Sequence, residues 1–595
     1  NIQIIENKAF SYFNELRDNP IYLDNPMDLY HNYSELTLFL ENIASQFPNI
    51  TNLFSIGQSV QGRELWVMQI TDNPNVDEPE PQFKYIANMH GDETPGREFS
   101  LYLIEWLCQN YNINNRATYL VNNTDIYIMP SMNPDGFELG IRYNANGVDL
   151  NRDFPDQFND PLNTLDGRQP ETRAVMEWSW EHNFTLSANM HSGALVANYP
   201  YDGPTSGTYS ACPDDDLFVD LALVYSQNHP TMYQSSSYNQ GITNGAYWYA
   251  VFGGMQDWNY VWQNNFEITL EQNEVKWPNS NQLAGLWEDH REPMLTYIEE
   301  VHDGIRGIIT DSINFAPLNA NIDIQGIDKT ILSDSENGDY YRLLKPGTYM
   351  ITASSFGYLS QTEMVIVPDI GYIEQNFQLS IDPWLAEADI EDFDEGSFIN
   401  FDWYFSGNAD WTITNSEAFQ GQYSAKSGNI NANEESSLKI DLEVLEDSEI
   451  SFYKKVSCES TGSISGNYYD YLSFLIDGIE VDKWAGEINW SLENFPITTG
   501  NHTIEWLFIK DGGVTSGYDS AWIDFVVFPI TSTSNPDCGT GDINNDSINN
   551  ILDVVSLVNC VLSNNCEDIC EGDMNQDDIL NVLDVVLLVN TILNN

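Results

Sequence analysis

Two hydrophobic rhythms share the first 300 residues of the chain. Leu36, Leu38, Phe39, Leu40, Ile43 and Ala44 recur near a helical period, and Pro48-Asn49 ends the helix they predict. Short apolar runs at 53–56, 64–70, 83–88, 125–129 and 185–190 read as strands, and 97–108 reads as a helix. From Phe266 the text alternates, with Phe266, Ile268 and Leu270 on one face and Glu267, Thr269 and Glu271 on the other. Strands interleaved with helices predict an α/β domain with a mixed, largely parallel sheet flanked by helices. Such sheets bind ligands in loops beyond the carboxyl ends of their strands. Asn133-Pro134-Asp135-Gly136 reads as a turn, and the polar, Asn-rich residues 1–28 as a lead-in segment.

Beyond residue 304 the period-2 pattern takes over. Short strands at 320–324, 340–344, 348–354 and 363–367, with turn residues between them, predict a small β-sandwich over 305–380. A second strand-rich block, 386–530, carries Trp403, Trp411, Trp484, Trp490, Trp506 and Trp522. Exposed aromatics there would stack on carbohydrate or grip a partner, but core aromatics are the commoner case. Residues 538–595 hold an internal repeat: Gly541-Asp542 through Val555 recurs as Gly572-Asp573 through Val586, each copy running into an apolar helix. The expected order is therefore a domain over 1–304, two all-β sandwiches and a small α tail.

Composition narrows the partners. With 22 basic and 90 acidic residues, the formal charge is -68, which repels nucleic acid and anionic membranes and attracts cations and basic peptides. No run of 18 apolar residues exists to span a membrane. Four of the seven cysteines, Cys538, Cys560, Cys566 and Cys570, crowd the tail and predict disulfides, leaving an odd thiol unpaired. Together with the acidic surface this predicts a secreted, extracellular protein of a saline medium, of bacterial type. The chain starts at Asn1 without a leader, so any signal peptide is expected to be gone already.

Candidate chemistry gathers where strands end. In Asn88-Met89-His90-Gly91-Asp92-Glu93, an imidazole and a carboxylate three residues apart follow a strand, and both can turn onto one zinc ion. His191 ends a later strand; such a histidine is more often structural, but here it would complete a His/Glu/His set. Arg142 and Arg152 have two readings of equal weight. They either grip a substrate carboxylate with an Asn amide, or pair with Asp149 or Asp153 for structure. Glu271, at the end of a buried strand, sits well for a general base.

Taken in order, these stretches resemble the zinc metallocarboxypeptidases, in the regulatory branch typified by carboxypeptidases D, E, N and M. The matching text runs from Tyr33-Ser34-Glu35-Leu36 through Ser59-Val60-Gln61-Gly62-Arg63-Glu64-Leu65-Trp66, the His90 loop, Asn133 to Gly136, Gly147 to Phe154, Ala194 to Pro200, Gly253 to Asp257 and Ile268 to Glu271. The resemblance implies one catalytic zinc on His90, Glu93 and His191, and Glu271 as the base that takes a proton from the attacking water. It implies that Arg142 polarises the scissile carbonyl, and that Asn151, Arg152 and Tyr249 clamp the terminal carboxylate of a peptide or protein. Asp202 and Gln256 fall at the pocket positions of basic-specific members, implying a preference for C-terminal Lys or Arg. Asp92 stands where members often carry Asn or Arg. The stretch before Tyr30 is too short for an inhibitory prodomain.

The later regions have resemblances of their own. Residues 305–380 resemble a transthyretin-like domain, and 386–530 a jelly-roll accessory module. The tail resembles a dockerin, which implies calcium and a cohesin partner. Its two loops would hold two calcium ions, on Asp542, Asn544, Asp546, Asn550 and Asp553, then on Asp573, Asn575, Asp577, Asn581 and Asp584. Ser547 and Asp578 replace the usual Gly at loop position 6. Two rivals remain: a non-catalytic adhesion or scaffold protein that only recognises peptide ends, and a peptidase of cell-wall or glutamylated peptides. Intact Glu271 argues against the first, and Asp202, by charge repulsion, against acidic tails.

Overall fold

An eight-stranded mixed sheet carries the first region, in the order β1-β2-β4-β3-β5-β8-β6-β7. The strands are β1 (Thr51–Gln58), β2 (Glu64–Ile70), β3 (Gln82–Ala87), β4 (Asp125–Met129), β5 (Phe184–His191), β6 (Ala194–Tyr199), β7 (Ile242–Asn244) and β8 (Phe266–Asn273). In this computed structural model the described residues are 29–531 apart from 75, 383–387, 460–467, 514–516 and 530. In the tail they are 541, 543, 550–563, 572, 574, 580 and 582–594. The proposed lead-in, 1–28, lies outside them. Pairings β4-β3, β3-β5 and β5-β8 are parallel and form the centre of the sheet. The margin pairings β1-β2, β2-β4 and β6-β8 are antiparallel.

Helices cover the sheet: α1 (Tyr33–Gln46), α2 (Pro95–Asn110), α3 (Asn115–Asn123), α4 (Pro134–Leu139), α5 (Pro170–Trp180), α6 (Asp215–Asn228), α7 (Gly245–Trp248), α8 (Met255–Trp262) and α9 (Leu283–Glu299). Asn32 caps α1 by accepting from the Glu35 amide, while the Glu35 carboxylate accepts from the Asn32 amide, a reciprocal capping box. The central strands are buried on both faces, as parallel strands between helices must be.

One local expectation fails. Asn133–Gly136 is not a free turn but the start of α4, with Asn133 Oδ1 accepting from the Gly136 amide and Pro134 in the first turn. Asn-Pro suits either role, because proline without an N–H is tolerated at the first helical position. Asp135, in that turn, accepts from Ser59 Oγ at 2.8 Å, from the Gln61 amide at 2.8 Å and from Arg63. Two stretches 72 to 76 residues apart in the motif are thus held together structurally.

Residues 304–379 form a four-stranded antiparallel sheet facing a second sheet built on Gly304–Asp311. Chain contacts group them with the α/β region into one compact unit ending at Asp382. Arg342, fully buried, joins them by donating to Asp214 Oδ1 at 2.7 Å, beside the start of α6.

The second unit starts at Pro383. It contains a six-stranded and a five-stranded sheet whose shared core includes Trp411, Phe452, Phe474, Trp506 and Phe508. Of the six tryptophans, Trp411, Trp506 and Trp522 are buried and the others half-buried, so these aromatics serve the core first. Two helices, α10 (Ile551–Ser563) and α11 (Val582–Asn594), pack through Leu557 and Leu588 in the tail.

Candidate active site

The loop after β3 delivers the first two candidate ligands. Asn88 takes a left-handed backbone (φ 59°), and its side-chain Nδ2 donates to the carbonyls of His90 at 2.9 Å and Glu93 at 3.0 Å. Ser131 Oγ donates to Asn88 Oδ1 in turn. Gly91 lies against Gly136, where a Cβ would come within 2.0 Å of backbone carbon, so the loop can pass only with glycine there. His191 is the last residue of β5 and pairs across to Glu271 of β8.

Three ligand atoms converge. His191 Nδ1 lies 2.8 Å from Glu93 Oε2 and 3.0 Å from His90 Nδ1, and His90 Nδ1 lies 3.1 Å from the same Glu93 oxygen. All three residues are buried. Zinc bonds of about 2.0–2.1 Å at tetrahedral angles call for donor spacings of about 3.3 Å, close to these values. The donor set fits zinc in chemistry as well as in spacing. Burial pushes the His191 imidazole down toward the neutral form a metal requires. His90 Nε2 lies 2.9 Å from Asp149 Oδ1, which fixes that nitrogen as the N–H and leaves Nδ1 its lone pair.

Asp149 also binds Arg142, accepting from Nε at 2.9 Å, so the structural pairing weighed for this arginine is present. Arg142 remains part of the site, for its Nη1 reaches Glu93 Oε1 at 3.3 Å. Lys276, absent from the sequence reading, donates to the same oxygen at 2.8 Å.

Glu271 is buried, and its Oε2 has no hydrogen-bond partner among the described residues. Burial, with Glu93 nearby, pushes its carboxyl up to about 8 against the pull of Lys276 and Arg142. A buried carboxylate oxygen left open beside a metal-ligand cluster can accept a proton from a small molecule arriving there.

The remaining candidates come from other segments. Asn151 and Arg152 lie in the short helical turn Leu150–Arg152, Tyr249 directly follows α7, and Gln256 lies in α8. The Tyr249 hydroxyl is within electrostatic reach of Glu271, Arg152, Asp202 and Arg142. Asn151 Oδ1 accepts from the Met255 amide at 3.0 Å, which ties the turn to α8. Asp202, beyond β6, is buried; its Oδ1 accepts from Gln256 Nε2 at 3.1 Å. A Cβ on Gly245 would fall 1.8 Å from that oxygen, so only glycine lets the chain close over the carboxylate. Burial pushes the Asp202 carboxyl up to about 7, opposed by Arg152.

A model of the zinc carboxypeptidase family (Peptidase_M14) matches residues 36–293. The catalytic chain of mouse carboxypeptidase N is 43% identical over 392 residues, covering 59% of this chain and 86% of that one. The chain belongs to the zinc carboxypeptidase family. Arabidopsis thaliana carboxypeptidase SOL1 is 46% identical over 343 residues, covering 56% of this chain and 69% of that protein. Human carboxypeptidase D is 47% identical over 377 residues, 60% of this chain, and the chain spans only 27% of that longer relative. The residues matched by the family model lie within the first compact unit.

The tail's candidate ligands separate differently. Asp542, Asn544, Asp546, Asp573, Asn575, Asp577 and Asn581 lie outside the described residues. Asp553 and Asp584 are buried; Asp553 Oδ2 accepts from the Asn550 amide at 2.9 Å and Asp584 Oδ1 from the Met574 amide at 3.0 Å. No described helix is long and apolar enough to cross a membrane.

Proposed function

We propose that the chain is a secreted zinc carboxypeptidase that removes C-terminal Lys or Arg from peptides and proteins. His90, Glu93 and His191 would hold the zinc, which supplies Lewis acidity toward the scissile carbonyl when bound. Asn151, Arg152 and Tyr249 hold the terminal carboxylate, a group that only a chain end provides. Glu271, with its open oxygen, takes a proton from the attacking water and returns it to the leaving amine. Arg142, kept in place by Asp149, faces the oxygen on which negative charge develops.

The observation that carries the basic preference is Asp202: a buried carboxylate under two glycines, Gly245 and Gly254, with Gln256 beside it. A Lys or Arg side chain would complete it with a charge-assisted bond, whereas an apolar end would leave its charge buried without an ion-pair partner. Four cysteines gathered in the tail support an oxidising setting. The tail reading, with two calcium ions and a cohesin-like partner, rests on the spacing of its oxygen side chains. A carbohydrate ligand for 386–530 rests on its half-buried tryptophans.

The test is hydrolysis of blocked dipeptides ending in Arg, Lys, Phe or Glu, for wild type and Asp202→Ala, with zinc restored after chelation. Release of Arg and Lys alone, reduced about a hundredfold in the variant, is expected. Release of Phe from wild type would overturn the pocket reading. A zinc-loaded chain that releases nothing would favour a protein that only binds peptide ends.

A further inference from the structure

Away from the cleft, one end of the second unit gathers three carboxylates. Glu459 follows strand Ser448–Ser457 of the six-stranded sheet. Asp470 precedes strand Tyr471–Ile476, and Asp511 follows strand Gly500–Ile509, both of the five-stranded sheet. Tyr471 and Ile509 are paired across those two neighbouring strands, which brings Asp470 and Asp511 side by side. One carboxylate oxygen from each of the three residues lies within 4.8 Å of the other two.

Proximity of acidic groups alone would carry little on so acidic a chain. Here Asp470 is 1% exposed, and its Oδ2 has no hydrogen-bond partner among the described residues. Glu459 Oε2 is likewise buried and unpartnered. The other Asp470 oxygen accepts from the Asp511 amide at 2.8 Å, and Cys458 Sγ donates to the Asp470 carbonyl at 3.2 Å, so the group is held in place. Lys510, the neighbouring cation, is engaged by Asp519. A buried anion with an open oxygen, beside two more anions, has to share the neighbouring Lys510 with Asp519.

We propose that Glu459, Asp470 and Asp511 form a calcium site that joins the two sheets of this sandwich. An all-oxygen, carboxylate-rich set selects a hard cation over zinc. Calcium bonds to oxygen at about 2.3–2.6 Å, so two oxygens on one ion stand at most about 5 Å apart, which the cluster satisfies. The site is separate from the tail repeat and draws on loops from both sheets.

Terbium, which replaces calcium and glows when an excited tyrosine or tryptophan is close, tests this on the full zinc-loaded chain. Residues 532–595 contain no Phe, Tyr or Trp, so the tail cannot sensitise the ion locally, whereas Tyr471 adjoins Asp470. The expected result is sensitised emission that calcium displaces, and affinity reduced at least about tenfold in both Asp470→Asn and Glu459→Gln. The tail variant Asp542→Asn/Asp573→Asn should keep that emission. Should Asp470→Asn fail to fold, Glu459→Gln, at a half-exposed position, decides. Absence of sensitised emission from wild type, unchanged affinity in Glu459→Gln, or loss of emission in the tail variant would overturn the proposal.

Discussion

Glu267 and Glu271 sit four residues apart on one strand, and the contrast between them separates a structural carboxylate from a reactive one. Both are buried. Glu267 is fully provided for: Ser187 Oγ donates at 2.6 Å, Asn189 Nδ2 at 2.8 Å and Asn259 Nδ2 at 2.8 Å. Asn259 in turn accepts from Lys84, whose burial pulls its amine down to about 7 despite Glu267. Glu271 keeps one oxygen unpartnered and faces the metal-ligand cluster. Burial is common to the two; the open hydrogen-bonding position is what distinguishes the one that can do chemistry.

The widest separation of the two should come from Glu271→Gln and Glu267→Gln. Losing the base should lower kcat by about 10²–10⁴ with the fold and zinc content kept. Glu267→Gln turns an amide toward three donors and leaves Lys84 without its counter-charge. It should cost about 3–5 kcal/mol of stability, while kcat per folded molecule changes little. Urea unfolding beside active-site titration would measure both, and a large kcat loss in Glu267→Gln would erase the contrast.

This difference was only half legible in the sequence. The alternation from Phe266 put Glu267 and Glu271 on one face, but their partners come from β5 and α8 and are fixed by tertiary packing. His90 and Glu93 were legible because they share one loop, and His191 because it ends a strand. Asp149 was legible only as a possible partner of an arginine; its contact with His90 spans 59 residues and has no spacing signature. Lys276 likewise comes from the stretch after β8. Helices α5 and α9 are hard to read from the sequence for physical reasons. In α5 polar Glu171, Thr172 and Ser179 are buried alongside the apolar residues, blurring the periodicity, and α9 contains Pro293.

A smaller effect should arise one bond away from the metal ligands. Asp149→Asn keeps the shape of the side chain but removes the charge that orients His90 and Arg142. Zinc affinity, measured by competition with a chromophoric chelator, should fall about 10–100-fold. At saturating zinc, kcat should recover only in part, since Arg142 has also lost its anchor. Unchanged zinc affinity would make Asp149 a partner of Arg142 alone, as the structural pairing would have it.

The smallest effect is a matter of pH, and it turns on Asp202 rather than on either strand carboxylate. Its carboxyl, raised to about 7 by burial, is mostly neutral below that pH and mostly charged above it. A cationic side chain requires the charged form, so KM for an Arg-ended substrate should rise as pH falls through about 7. Binding the cation itself pulls the carboxyl back toward ionisation, which holds the rise to about tenfold per unit at most. The sign is opposite for stability: folding favours the protonated form, so the Asp202 contribution is greatest below the ordinary carboxylate range and diminishes up to about pH 7. KM for an Arg-ended substrate, followed from about pH 5.5 to about 8.5 in wild type and in Asp202→Asn, isolates the pocket because the terminal clamp is common to both. A KM ratio that stays flat across that range would mean that Asp202 is ionised throughout, held so by Arg152, and that burial does not govern the pocket.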